Sequence, residues 1–221
     1  MVMKGHQQAS IWPVAVFANV LVVVITSLVL VWLLHFREGL AFKSHVKAKI
    51  FNIHPLLTIV GFILFSGEAI MAYKTVHGAR KIEKQLHFTL HLVALLTGIL
   101  GIYAVFKFHQ ELGIPHVYSL HSWVGLITIS LYALQWTCSM FIFAYPHTKS
   151  STREKVAPWH IFGGIIIFVR GICTALMGMV EKFIFMKLQR EQEALIINFT
   201  GLMIILFGIT VSLVALLPRM K

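Results

Sequence analysis

Imidazole can carry a proton or ligate a metal at neutral pH, and 12 of the 221 residues are histidine. His6, His45, His77, His116 and His147 fall among polar residues, where a solvated side chain is the expectation. Four others share one placement: His54, His87, His121 and His160 stand at the starts of four successive apolar segments. Successive segments that cross one bilayer run in opposite directions. The starts of the second and fourth therefore lie on one face and those of the third and fifth on the other, which pairs His54 with His121 and His87 with His160. An isolated imidazole at membrane depth is costly. Four at matching depths form two cross-bundle pairs, each able to grip a haem iron from both axial sides. The bland alternative is four core histidines, each with its own hydrogen-bond partner. His91, one turn after His87 on the same face, is an alternative ligand; His87 is preferred because its depth matches His160.

The elements that must position these residues are six apolar windows, each close to the ~20 residues needed to cross a hydrocarbon core of about 30 Å. They run Ile11–His35, Ile53–Tyr73, Leu86–Phe106, Leu120–Ala144, Trp159–Val180 and Ala194–Leu217. The expected fold is an all-α integral membrane protein of six transmembrane helices, with helices 2–5 as a four-helix core holding two haems. The first and sixth helices have no histidine at corresponding depth and are expected to pack outside it. The connections are too short to be domains, so residues 1–221 read as a single membrane domain. Composition agrees: 58% of residues are hydrophobic, 12% are charged, and mean hydropathy is +0.83.

Lys and Arg number 19 against 8 Asp and Glu, but they are dispersed between apolar stretches, which argues for membrane-surface loops and against nucleic acid. Basic residues are slightly more numerous on the side of the termini, which are expected to be cytoplasmic. Glu38, Glu111, Glu181, Glu191 and Glu193 all lie on the other side. Met1–Ser10 lacks a signal-peptide cleavage site, and the first apolar stretch is expected to stay attached. No G-x-G-x-x-G turn or P-loop is present, so the reductant should be small and diffusible. Cys138 and Cys173 lie in apolar segments without C-x-x-C spacing, and packing is the expected role.

Small and polar residues follow each histidine on its own helical face. Gly61 and Glu68 follow His54; Ala94, Gly98 and Gly101 follow His87; Gly125, Thr128, Tyr132 and Gln135 follow His121; Gly164, Gly171, Thr174 and Gly178 follow His160. They leave room for a macrocycle, and they also suit close helix packing. A histidine-lined ion transporter is a rival reading, but it favours one midplane cluster over two pairs at opposite faces. A haem-bearing subunit serving a protein partner is a second rival.

The segments LLHFREGLAF, FNIHPLLTIVGFILFSGEA, YSLHSWVGL, PWHIFGG and TALMGMVEK, in this order and spacing, resemble the cytochrome b561 family of ascorbate-dependent transmembrane electron carriers. The resemblance runs from about Leu30 to Leu217 and is nearest to plant vacuolar and animal duodenal or lysosomal reductases. It implies two haem b groups, with His87 and His160 holding the cytoplasmic one and His54 and His121 the other. It implies ascorbate bound by Arg80, Lys84 and Arg153, and an acceptor pocket at Phe108, His109 and Tyr118 for monodehydroascorbate or a ferric chelate. A homodimer is also implied, in a vacuolar, lysosomal or other endomembrane or in the plasma membrane.

Spacing agrees with parts of this. Arg80 and Lys84 are spaced i, i+4 just before His87, and Arg153 lies seven residues before His160; cations there would concentrate an anion. Loop and headgroup contact is the bland reading, to which Lys74, Lys81, Lys149 and Lys155 are assigned. His109 and Tyr118 can act as proton partners or donors, against a solvated histidine and an interfacial aromatic. Arg170 departs from the apolar pattern expected of the family in the fifth helix. It sits near mid-membrane, with a haem propionate, Glu68 or backbone carbonyls as candidate partners.

Overall fold

The computed structural model describes residues 12–76 and 78–217. His6, His77, the Met1–Ser10 segment and Ile11 lie outside the described residues. Six helices are long and apolar enough to cross a membrane: α1 Trp12–Phe36, α2 Ala48–Thr75, α3 Arg80–Leu112, α4 Leu120–Ala144, α5 Ser150–Phe185 and α6 Gln192–Leu216. α1 packs on α6, and α6 on α2 and α5. Phe207 of α6, fully buried, sits over Gly67 of α2, and Ile172 of α5 sits over Gly208 of α6. Small residues let helices approach where lipid supplies no hydrophobic drive between them. The large exposed residues, such as Val23, Leu134 and Phe162, are apolar and suit a lipid surround.

α3 and α5 are longer than their apolar windows. The polar ends Arg80–Gln85 and Ser150–Pro158 are helical, since Arg, Lys, Glu and Gln are good helix formers. α2 also begins earlier, at Ala48. His54, His87 and His160 therefore stand well inside their helices rather than at the starts, and only His121, second in α4, begins one. A hydropathy window detects lipid depth, and that depth is what the histidines share. Pro55 and Pro158 interrupt the N–H ladder close to His54 and His160, and the turns after Pro55, Leu57–Leu64, are widened to π-helix. Thr58 Oγ1 donates to the His54 carbonyl at 2.7 Å.

Cys138 and Cys173 are free, and both are exposed on the outer faces of α4 and α5. The expected packing role is corrected accordingly: an apolar segment has a lipid side as well as a core side, and hydropathy does not tell them apart.

Candidate functional site

Two pairs of histidine rings face one another between the α2–α3 and α4–α5 hairpins. The His54 and His121 ring centroids are 6.0 Å apart and those of His87 and His160 are 6.2 Å apart. Imidazole nitrogen binds a first-row metal at about 2.0 Å, so two rings on opposite sides of one ion have centroids roughly 6 Å apart. Both gaps fit a metal held from two sides.

Each ring is also oriented. Nδ1–H of His54 donates to the Gly101 carbonyl (3.0 Å), that of His87 to Ala69 (2.8 Å) and that of His121 to Thr174 (2.9 Å). His160 Nδ1 pairs with Ser139 Oγ at 2.9 Å. An Nδ1 so engaged leaves the Nε2 lone pair as the ligating atom, and such a partner raises its basicity. The bonds are reciprocal within each hairpin: α2 and α3 brace each other's histidine, as do α4 and α5.

Glycines make the space. A Cβ at Gly178 would lie 2.6 Å from His121 Cε1, and one at Gly98 would lie 2.9 Å from Ile129 Cδ1. A cavity of about 370 Å³ opens beside His54 and His121, lined also by Gly98, Gly125, Gly171, Thr174 and Gly178. The small residues that follow His87 and His160 thus serve the opposite pair. At the His87 end, Gln135 Nε2 donates to the His160 carbonyl at 3.2 Å and lies against Gly163 and Gly164. Both ring pairs are spaced for bis-imidazole ligation, and the cavity beside His54 and His121 adds room for a macrocycle there; among the described residues no group of three or more His, Cys, Asp or Glu is placed to hold a metal ion.

Of the two α3 histidines, His87 has the ring set 6.2 Å from His160. The His91 ring packs edge-on against His87 at 4.5 Å, and its Nδ1 shares a hydrogen bond of 2.5 Å with Tyr132 OH, which in turn meets Ser66 Oγ at 3.0 Å. Arg170 and Glu68 form no ion pair; Arg170 Nε and Glu68 Oε1 are both buried without a hydrogen-bond partner. Trp136 Nε1 and Arg153 Nε are likewise buried unpaired donors, suited to acceptors on a bound group.

Arg80, Lys84 and Arg153 belong to the His87 end. Arg80 lies 5.0 Å over the Tyr73 ring, which is 4.9 Å from His87, and pairs with buried Glu83. Lys84 Nζ donates to the Phe143 carbonyl, and Arg153 Nη2 donates to that of Tyr145 at 2.8 Å, so both converge on the C-terminal turn of α4. Phe108, His109 and Tyr118 line the cavity at the His54 end. Phe108 meets Phe51 edge-on at 5.2 Å, and His109 stacks on Tyr118 at 6.2 Å.

Two cavity residues escaped the sequence reading. His116, assigned to a solvated loop, is exposed as expected, and it is also stacked on Phe106 at 4.8 Å and on His109 at 5.7 Å. Its neighbour Val117 takes φ of 53°, a left-handed conformation that a β-branched residue avoids, and that turn sets His116 and Tyr118 into the cavity wall. Lys182 is the other; its signal was its place one turn beyond Gly178 on the same helical face. His45 and His147 are exposed, as expected of loop histidines.

A family model described as eukaryotic cytochrome b561 matches residues 53–186, a stretch that contains all four paired histidines. The chain is 42% identical over 214 residues to a probable ascorbate-specific transmembrane electron transporter 1 of Oryza sativa subsp. japonica, covering 93% of this chain and 90% of the other. It is 39% identical over 202 residues to transmembrane ascorbate ferrireductase 2 of Arabidopsis thaliana, covering 89% and 88%. With a plasma membrane ascorbate-dependent reductase of Xenopus tropicalis it shares 40% identity over 200 residues, covering 87% and 70%.

Proposed function

The chain belongs to the eukaryotic cytochrome b561 family, as a multi-pass membrane protein of electron transfer, and from that premise we propose that it carries single electrons from cytoplasmic ascorbate to an acceptor across the bilayer. His87 with His160, and His54 with His121, would each hold one haem b, which supplies reversible one-electron chemistry when bound. The chain sets the rings of each pair about 6 Å apart and engages every Nδ1, which leaves Nε2 to ligate.

The His87 end is assigned to the cytoplasm, with both termini. Arg80, Lys84 and Arg153 gather positive charge there, which raises the local concentration of the ascorbate anion and orients it. Ascorbate gives up one electron and releases one proton to water, becoming monodehydroascorbate. At the other end Phe108 offers an aromatic face while His109 and Tyr118 offer hydrogen bonds to the acceptor. That acceptor is monodehydroascorbate, which takes one electron and one proton, or a ferric chelate, whose iron becomes ferrous.

The observation that carries this reading is the pair of ring gaps, 6.0 and 6.2 Å, each with both Nδ1 atoms engaged. Redox titration of the purified protein tests it. Two one-electron waves are expected, and a preparation with a single porphyrin per chain would end the proposal.

A further inference from the structure

At the His54 end, α5 carries a regular series along one face. Thr174 accepts the His121 Nδ1 proton, Gly178 abuts the His121 ring, and Lys182 follows after one more turn, about 6 Å further along the axis. Its side chain turns into the cavity it lines, where Nζ lies 4.1 Å over the face of Phe51. Phe51 in turn touches the His54 ring at 6.2 Å and Phe108 at 5.2 Å. The ammonium is therefore two ring contacts at most from a paired histidine and from the acceptor wall.

Lys182 is half-buried, and its partners do not neutralise it. Among the described residues it makes a cation–π contact but no ion pair. The nearby charges are Arg37, Glu193 and Glu38. Glu193 accepts from Arg37 Nε and Nη2 and from Trp32 Nε1, and among the described residues Glu38 makes no ion pair with Lys182. Glu181 also lines the cavity but adjoins Lys182 in sequence, so the two side chains leave the helix about 100° apart. A lysine in the last turn of a helix often serves only the helix dipole or extends to headgroups. Lys182 does neither here: Nζ is held inward by an aromatic face, a contact that leaves its three N–H donors able to take an anion.

We propose that Lys182 is the anion-binding group of this cavity, and that it takes a carboxylate. This rests on the reading of the cavity as the acceptor end. A carboxylate can come from a porphyrin propionate or from the acceptor, and in either case Lys182 acts as a positioning residue beside the His54 and His121 pair.

The test uses full-length protein in liposomes loaded with ascorbate, with ferric citrate or hexaammineruthenium(III) outside, and redox titration of the same preparations. For an acceptor carboxylate, Lys182→Gln raises the KM for ferric citrate about tenfold, the loss of a charged hydrogen bond, and leaves the cationic acceptor unchanged. Lys182→Glu reverses the preference, and Lys182→Arg restores it. For a propionate, both KM values stay put and one redox wave moves in Lys182→Gln while the other does not. Unchanged KM values together with unchanged waves overturn the proposal. Failure of the underlying reading is a separate outcome, since wild-type protein would then reduce neither acceptor.

Discussion

The two ends of the bundle hold the same pair of rings at nearly the same spacing, yet they surround them differently. At the His87 end the pair is set among hydrogen bonds: Ser139 on His160, Gln135 on the His160 carbonyl, and the His91, Tyr132 and Ser66 chain beside His87. At the His54 end it borders a cavity of about 370 Å³ with His109, His116 and Tyr118 in its wall. Like ring pairs in unlike surroundings would give one cofactor two potentials and two partners, since hydrogen bonding and solvent access tune a metal as much as its ligands do.

Removing ligands is the severest test of that contrast. His160→Ala and His121→Ala are each expected to halve the haem content, and each should abolish a different wave in redox titration. Loss of the same wave in both would show that the rings are paired otherwise. Gly178→Val acts at one end only: its Cβ meets His121, and overpacking of this kind costs about 1–3 kcal/mol. Thermal loss of the Soret band should then become biphasic, with the His54 end failing first. Gly164→Ala is the control, because it meets only the movable end of Gln135.

Tyr132→Phe leaves the His91 and Ser66 polar atoms without their shared partner, at a cost of about 1–3 kcal/mol. It should shift the wave that His160→Ala removes and spare the other; a shift of both would place Tyr132 between the sites instead. The smallest effect is expected at Lys84. Lys84 is half-buried and bonded to the Phe143 carbonyl, and a charge screened by solvent contributes about 0.2–1 kcal/mol, so Lys84→Ala should raise the KM for ascorbate by up to about fivefold while dithionite reduction is unaltered. An unaltered ascorbate KM would remove Lys84 from the site.

The sequence made the two ends visible because depth is written in hydropathy and direction alternates from helix to helix. His54, His87, His121 and His160 could be matched on those two facts alone. The bracing of the rings was hidden, since three of the four acceptors are backbone carbonyls, of Gly101, Ala69 and Thr174, which every residue carries. His116 was hidden by its loop: its place in the wall depends on the left-handed turn at Val117, a residue type that gives no hint of one. Lys182 drew no assignment, because it lies past the apolar window of α5, which runs on as helix to Phe185. The lipid-facing side of Cys138 and Cys173 was equally out of reach, as a helix apolar all round does not declare which face is inside.

The reciprocal bracing within the hairpins has a mechanical side. Because the α2–α3 hairpin carries one ring of each couple and α4–α5 carries the other, any rocking of one half against the other widens one gap as it narrows its counterpart. Such rocking leaves the Nδ1 bonds, which lie inside each half, undisturbed. For motion of one half against the other, opposite faces of the molecule are therefore joined as arms of a single lever.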